Sequence, residues 1–285
     1  MAEMINQSRL SNAVRSAGMM RRALHEALCV ARGRTAFGRR LIDLPLMQRQ
    51  LLKIMLPAEE ALSLCLFTAA ALRRADEGEE TGIALRRILT PLVKFRCCRD
   101  ARKAAGDAME VRGGCGYIED WSDPRLLRDA HLGSIWEGTS NIVALDVLRA
   151  IRREAALPAL EAHLRGLLRE SPLHSVARTA FDDGLQRSLA LAQQATEAGA
   201  HGEVLARQVA SSLYHITSAI AMAWEAGGMQ SARRMRLAQA VVRYRLHAPG
   251  PLDGAPTEPD WMPTLFGLGE AGTGDSSDVA AVNLF

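Results

Sequence analysis

The chain has 285 residues, 48% of them hydrophobic and 24% charged, which is enough apolar material for one large domain or two modest ones and excludes a disordered or fibrous chain. No run approaches 18 uncharged apolar residues and the N-terminal MAEMINQSRL has no apolar core, so neither a membrane span nor a secretory leader is expected, and a cytoplasmic setting follows. The formal charge of +3 is uneven: all 35 Lys and Arg lie at or before Arg245 with 26 acids, leaving that body at +9 and the remainder at −6, so the body can meet anionic ligands.

In chain order, helical periodicity dominates and strand signals are nearly absent, which predicts an all-α fold. A first helix is predicted over residues 3–32, with Ile5, Leu10, Val14, Ala17, Met20, Leu24 and Leu28 on one broad face. Gly33, Gly38 and Pro45 in GRTAFGRRLIDLP end it. A second helix spans 46–74, with Pro57 as a candidate kink, and ADEGEE makes a turn. A third runs over 81–112 and stops at Gly113-Gly114. A structured loop, CGYIEDWSDPR, leads to a short helix, PRLLRDAHL, and a fourth long helix follows Glu137. Long helices with short connections imply an antiparallel four-helix bundle over residues 1–154. An additional helical region is expected over 155–247, with helices near 157–169, 173–198, 202–226 and 229–246. Residues 248–285 hold five of the 11 prolines and no Lys or Arg, and read as an extended or partly disordered acidic tail that Trp261, Leu265 and Phe266 can dock.

Five cysteines form no CxxC and are odd in number, which suits a reducing compartment and buried thiols; Cys97 and Cys98 are helical neighbours that point apart, against a redox pair. No two His lie at helical ligand spacing, so no metal site is expected, and His131 and His215 read as core or surface residues. Gly113-Gly114-Cys115-Gly116 follows a helix rather than a strand and is not a dinucleotide loop. One acid stands out. In SIWEGTSNI, Glu137 sits between Ile135-Trp136 and a Gly-Thr-Ser turn that opens a helix: either an acid near a helix N-terminus, or a base raised in pKa by apolar neighbours.

Three segments in order, RGRTAFGRRL (residues 32–41), RGGCGYIEDWSDPRLLRDA (112–130) and SIWEGTSNI (134–142), resemble the C-terminal helical bundle of the acyl-CoA dehydrogenases, and the resemblance covers residues 4–154. The Trp-Glu-Gly form and the helical extension are similar to the AidB-type, alkylation-response branch. The resemblance implies FAD-linked α,β-dehydrogenation of an acyl-CoA with Glu137 as the catalytic base, in a site dry enough that water does not compete. It implies flavin contacts by Thr139 and Asn141. Arg34 and Phe37 would reach the adenosine diphosphate part of FAD across a subunit interface, with Gly114 allowing close backbone approach. Arg9, Trp136 and Gly138 would line the substrate side. Some relatives carry the base beside the position of Arg9, but the residue before it here is Ser8. Two departures stand out: Glu110 replaces a common Gln before the glycines, and Pro45 stands where another Gln is usual. The helical and β-barrel domains that precede the bundle in the family have no counterpart, so the chain reads as a fragment, a truncated product or one half of a split enzyme. Its expected partners are an acyl-CoA, further copies of itself (dimer or tetramer) or a chain supplying those domains. The alternative is a DNA-associated helical module or an oligomerisation scaffold: Arg233, Arg236 and Arg243 form one stripe opposite Met235, Val242 and Leu246, which can touch DNA phosphates without reading sequence or can be a solvated face.

Overall fold

A computed structural model describes residues 2–154, 156–248, 250, 252–253 and 260–268. Three helices of nearly equal length form its frame: α1 (Ala2–Gly33), α2 (Pro45–Asp76) and α3 (Glu80–Arg112). Short connections force α2 antiparallel to both neighbours, so α1 and α3 run the same way and pack on each other as well as on α2. Apolar residues spaced three or four apart on α1 (Ala13, Ala17, Met20, Ala23, Ala27, Ala31) are buried, and the alanines among them let the helices approach closely. The helices run through Pro57 in α2 and Pro91 in α3 without ending, and each proline removes a backbone donor inside a buried face.

The link from α1 to α2 is more ordered than expected. Two two-residue strands, β1 (Thr35–Ala36) and β2 (Arg39–Arg40), pair antiparallel. Phe37 and Gly38 form the tip at φ of 53° and 73°, the handedness that a two-residue hairpin loop requires. Two residues per side are too few for strand periodicity to register in the sequence.

The fourth column of the bundle is not one long helix. After the single turn α4 (Gly114–Tyr117), α5 (Asp123–Gly133) returns along the second half of α3, and α6 (Ser140–Arg153) continues along its first half. Arg112 at the end of α3 bonds Asp123, a Cβ on Gly133 would lie 3.4 Å from Cys98 Sγ, and Arg87 bonds both Asp146 and Glu154. The break between α5 and α6 therefore lies halfway along α3, and Glu137 is in it.

Beyond the bundle, α7 (Ala156–Glu170), α8 (Ser175–Glu197), a 3-10 turn (Gly199–Leu205), α9 (Ala206–Met229) and α10 (Ala232–Val241) close over α2, α3 and α6. The last helix passes into a π turn, Val242–Leu246. α9 is the buried axis of this region, touching α2, α3, α6, α7, α8 and α10, and one apolar cluster is continuous from the bundle into it. Tyr214 and Phe181 are among its fully buried side chains, each contributing about 1.5–3 kcal/mol by removal from water. Charges are also buried at this joint. Arg234 on α10 bonds Glu59 at 2.6 Å and Glu225 at 2.8 Å, while Glu60 on α2 accepts from Ser218 at 2.9 Å and pairs with His215 Nδ1 at 2.7 Å. Burial raises the Glu60 pKa, but His215, Arg245 and Ser218 together outweigh it and hold the carboxyl below its usual range.

Residues 260–268 dock as expected: Leu265 and Phe266 are buried and Trp261 packs against the core. Arg32 donates to the Phe266 carbonyl at 3.4 Å and Arg236 to Thr264 Oγ1 at 2.8 Å, so this strap joins α1 to α10. The acids Glu258, Glu270, Asp275 and Asp278 lie outside the described residues. α2 is long and apolar enough to cross a membrane by length and composition, but 67% of its most apolar window is buried inside the protein. Cys65, Cys97 and Cys98 are buried free thiols as expected, whereas Cys29 and Cys115 are exposed.

Candidate functional site

Glu137 adopts φ of 60°, a left-handed conformation that a non-glycine residue holds only where its surroundings impose it. The imposing group lies beneath. Lys94, 2% exposed on α3, donates through Nζ to the carbonyls of Gly133 at 2.5 Å and Gly138 at 3.3 Å, latching both sides of the turn onto the bundle. Burial depresses the Lys94 pKa; the Cys98 thiol and the Glu137 carboxylate oppose that, and Arg9 adds to it. Glu137 is thus a counter-charge to a buried ammonium, and it remains half-exposed. Sequence reading missed Lys94, although it is one of only three lysines in a chain with 32 arginines and falls on an apolar face of α3.

Thr139 is the residue capping α6, yet its side chain makes no capping bond, and both it and Asn141 are exposed. The first-turn N–H groups of α6 and the Thr139 hydroxyl therefore face outward beside Glu137, a donor-rich edge suited to an electron-rich or anionic group. Trp136 and Ile135 do not close over the acid as expected: they are 58% and 62% exposed, and with the exposed Leu132 and Ile142 they leave apolar surface on either side of Glu137 in the chain. Arg9 is buried and bonded at 2.5 Å to Asp146, which Arg87 also holds at 2.7 Å. Burial raises the Asp146 pKa, but the two arginines outweigh it and hold the carboxyl below its usual range. Gly138 stays in the turn, as the acceptor for Lys94.

The second group of residues lies elsewhere. Arg34 follows α1, donates through Nη1 to the Arg112 carbonyl at 3.0 Å, and passes beside Gly113 at the end of α3. Gly113 has φ of 75° and ψ of −149°, a region open only to glycine, and a Cβ on Gly114 would meet nothing within 4 Å. This corner stands on Arg112, which bonds Asp123 at 2.8 Å and Glu26 at 2.6 Å and lies 4.6 Å from the centre of the Trp121 ring. Phe37, 94% exposed, projects from the hairpin. Glu110 is exposed rather than turned inward, and Pro45 simply starts α2. An open Gly114 backbone beside an Arg34 guanidinium fits a diphosphate, as a fork and a wall without a side chain.

The structure does not bring the two groups together within one chain. Arg9 to the end of α1 is about 36 Å at 1.5 Å per residue, and Lys94 to Arg112 about 27 Å. Glu137, Thr139 and Asn141 belong to the middle of the bundle; Arg34, Phe37 and Gly114 belong to its end. The arginine stripe also differs from a solvated face. Arg233, Arg236 and Arg243 are half-buried; Arg233 lies 3.6 Å from Glu59, Arg236 bonds Thr264 and Arg243 lies 5.6 Å from the Tyr244 ring centre. Among the described residues no group of three His, Cys, Asp or Glu is placed to hold a metal ion.

Comparison with known proteins agrees with this architecture. The family Acyl-CoA dehydrogenase, C-terminal domain, matches residues 1–152. AidB of Escherichia coli is 39% identical over 155 residues, covering 54% of this chain and 28% of that protein. Acyl-CoA dehydrogenase family member 11 of Caenorhabditis elegans is 31% identical over 229 residues, 76% of this chain and 37% of that protein. The structure of C. elegans ACDH-11 in complex with C11-CoA superposes with a TM-score of 0.76 at 26% identity, covering 88% of this chain and 44% of that one. The FAD complex of an acyl-CoA dehydrogenase from Bacillus anthracis has a TM-score of 0.71 at 17% identity, with 86% and 47% coverage, a likeness of fold. The chain thus spans well under half the length of the relatives it matches. With the helical frame, the Glu137 turn and the matched residues 1–152 in agreement, the chain belongs to the acyl-CoA dehydrogenase family, whose C-terminal helical domain it contains.

Proposed function

We propose that the chain is the helical portion of an FAD-linked acyl-CoA dehydrogenase, in which Glu137 takes the α-proton of an acyl-CoA thioester. The observation that carries this reading is the left-handed Glu137 in the break between α5 and α6. Glycine would form that turn without strain, and the hydrogen bonds from Lys94 beneath reach only the backbone carbonyls of Gly133 and Gly138. The carboxylate is therefore kept for what lies above it. An acid fixed by its backbone, with Lys94 compensating its charge from the protein side, is positioned to accept a proton from a bound acyl group. Thr139, Asn141 and the open first turn of α6 would hold the flavin beside it. Arg34, Phe37 and Gly114 would hold the diphosphate end. FAD, when bound, accepts the β-hydride that leaves as the α-proton is taken.

Exposed Ile135, Trp136 and Ile142 mean that this chain does not by itself exclude water from Glu137. Apolar surface from the domains found in the relatives, or from a separate chain, would complete the cleft. The separation of the two residue groups favours assembly of each cofactor site from two copies, Glu137 from one and Arg34 from the other, with Phe37 buried between them. Substrate removal measured on the assembled enzyme tests the base. Glu137→Gln should lower turnover about 10²–10⁴-fold while thermal stability and visible flavin absorbance are retained. Turnover within about twofold of the parent would remove Glu137 from the chemistry.

A further inference from the structure

Away from Glu137, where α3 meets the additional helical region, two clefts share Arg96. The larger, of about 690 Å³, is bounded by α3, α8, α9 and the π turn. Three arginines (Arg96, Arg187, Arg245) and two histidines (His215, His247) line it together with serines and glutamines, and no carboxylate does. The smaller, of about 440 Å³, is lined by Arg96, Arg99, Arg102, Lys103 and His131, with Asp100 as its one acid. Both volumes lie in or near the range of small-molecule sites, about 300–1,000 Å³.

The acids near this trough pair with its cations. Asp100 takes Arg96 in a two-point grip at 2.9 and 2.8 Å, Asp183 lies 3.4 Å from Arg187 and 3.6 Å from His247, and Glu60 lies 3.8 Å from Arg245. Glu60 is 0% exposed and His215, bonded to it, is 4% exposed, so the floor is a fixed polar pair. Glu60 Oε2 and Arg245 Nε are both buried without a hydrogen-bond partner. In the smaller cleft, Arg99 and Arg102 make no salt bridge among the described residues. Burial, then Arg207, Arg96 and Arg102, push the Arg99 pKa down, and Asp100 alone opposes them, so cations outnumber anions around it.

We infer that this trough binds a small molecule carrying a phosphate or polyphosphate group. Arginine forks match phosphate oxygens, and cations spread over two joined clefts suit more than one anionic centre. The concavity, floored by a buried His–Glu pair, favours a compact ligand that enters it over a nucleic-acid duplex that would rest on the rim. The test is calorimetric titration of the 285-residue chain with inorganic pyrophosphate at low and high salt. Saturable binding is expected, weakened by salt. Arg99→Gln combined with Arg102→Gln, both half-buried in the lining of the smaller cleft, should weaken it about tenfold or more, Arg187→Gln should weaken it less, and Arg165→Gln on α7 should leave it unchanged. Circular dichroism confirms that each variant is folded. Absence of saturable binding by the folded parent, equal binding by the double variant, or retention of a short DNA duplex that pyrophosphate does not displace would each overturn the assignment.

Discussion

The two turns that carry the candidate residues are built alike and finished differently. Each contains a non-glycine residue in the left-handed region, Glu137 at φ 60° and Phe37 at φ 53°, and each group stands over a buried cation, Lys94 or Arg112. Arg112 is satisfied by two carboxylates, Glu26 and Asp123, and by the face of Trp121. Lys94 has two backbone carbonyls, and its nearest carboxylate of note is the half-exposed Glu137. A closed charge cluster makes the end of the bundle a rigid corner. An incomplete one leaves Glu137 as the part of the pair still open to outside chemistry.

That contrast is broken most severely at Arg112. Arg112→Met strands Glu26 and Asp123 at a buried joint and should cost about 3–5 kcal/mol in urea unfolding; a loss below about 1 kcal/mol would show that the corner is not held by charge. Gly113→Ala places a side chain where only glycine is comfortable and should cost about 1–3 kcal/mol. Lys94→Met releases the turn without stranding a buried carboxylate. A smaller loss of about 1–2 kcal/mol is expected from the two unpaired carbonyls, with faster amide exchange confined to residues 133–140. Uniform exchange across the bundle would instead make Lys94 a general core residue.

The acid limb of stability sharpens the comparison further. Asp146 and Glu60 have folded pKa values below their unfolded ones, so in the folded state they bind fewer protons. Their contribution is full above the unfolded carboxylate pKa and is lost as pH falls through the folded values. Asp146→Asn should therefore flatten the decline in melting temperature below about pH 4. A decline as steep as the parent's would assign acid sensitivity to other groups. The smallest stability effect belongs to Phe37→Gly: relief of the left-handed strain keeps unfolding within about 0.5 kcal/mol of the parent. Sedimentation should nevertheless show weaker self-association if Phe37 lies between copies.

Much of this was legible in the residues. The three long helices, Gly113 as a stop, the docked aromatics of residues 260–268 and the singular setting of Glu137 follow from periodicity and punctuation. What was not legible depends on neighbours distant in sequence. A lysine on α3 reads as one more charge until the carbonyls of Gly133 and Gly138, some 40 residues on by their hydrogen bonds, are seen above it. Arg9 reads as available until Asp146 occupies it. The fourth column reads as a short helix and a separate long one, because nothing local says that α5 and α6 share a track along α3. The apolar apron of Ile135 and Trp136 reads as cover, since hydrophobicity alone does not report which side of a turn a residue takes.

The distance between the two turns has a genetic consequence. If each cofactor pocket joins one chain's acid to another chain's guanidinium, two different inactive variants can repair each other. Glu137→Gln mixed with Arg34→Gln would yield hybrid dimers with one pocket wholly native and one doubly damaged, and activity would return from two dead preparations. Were both residues drawn from the same chain, no mixture could recover anything.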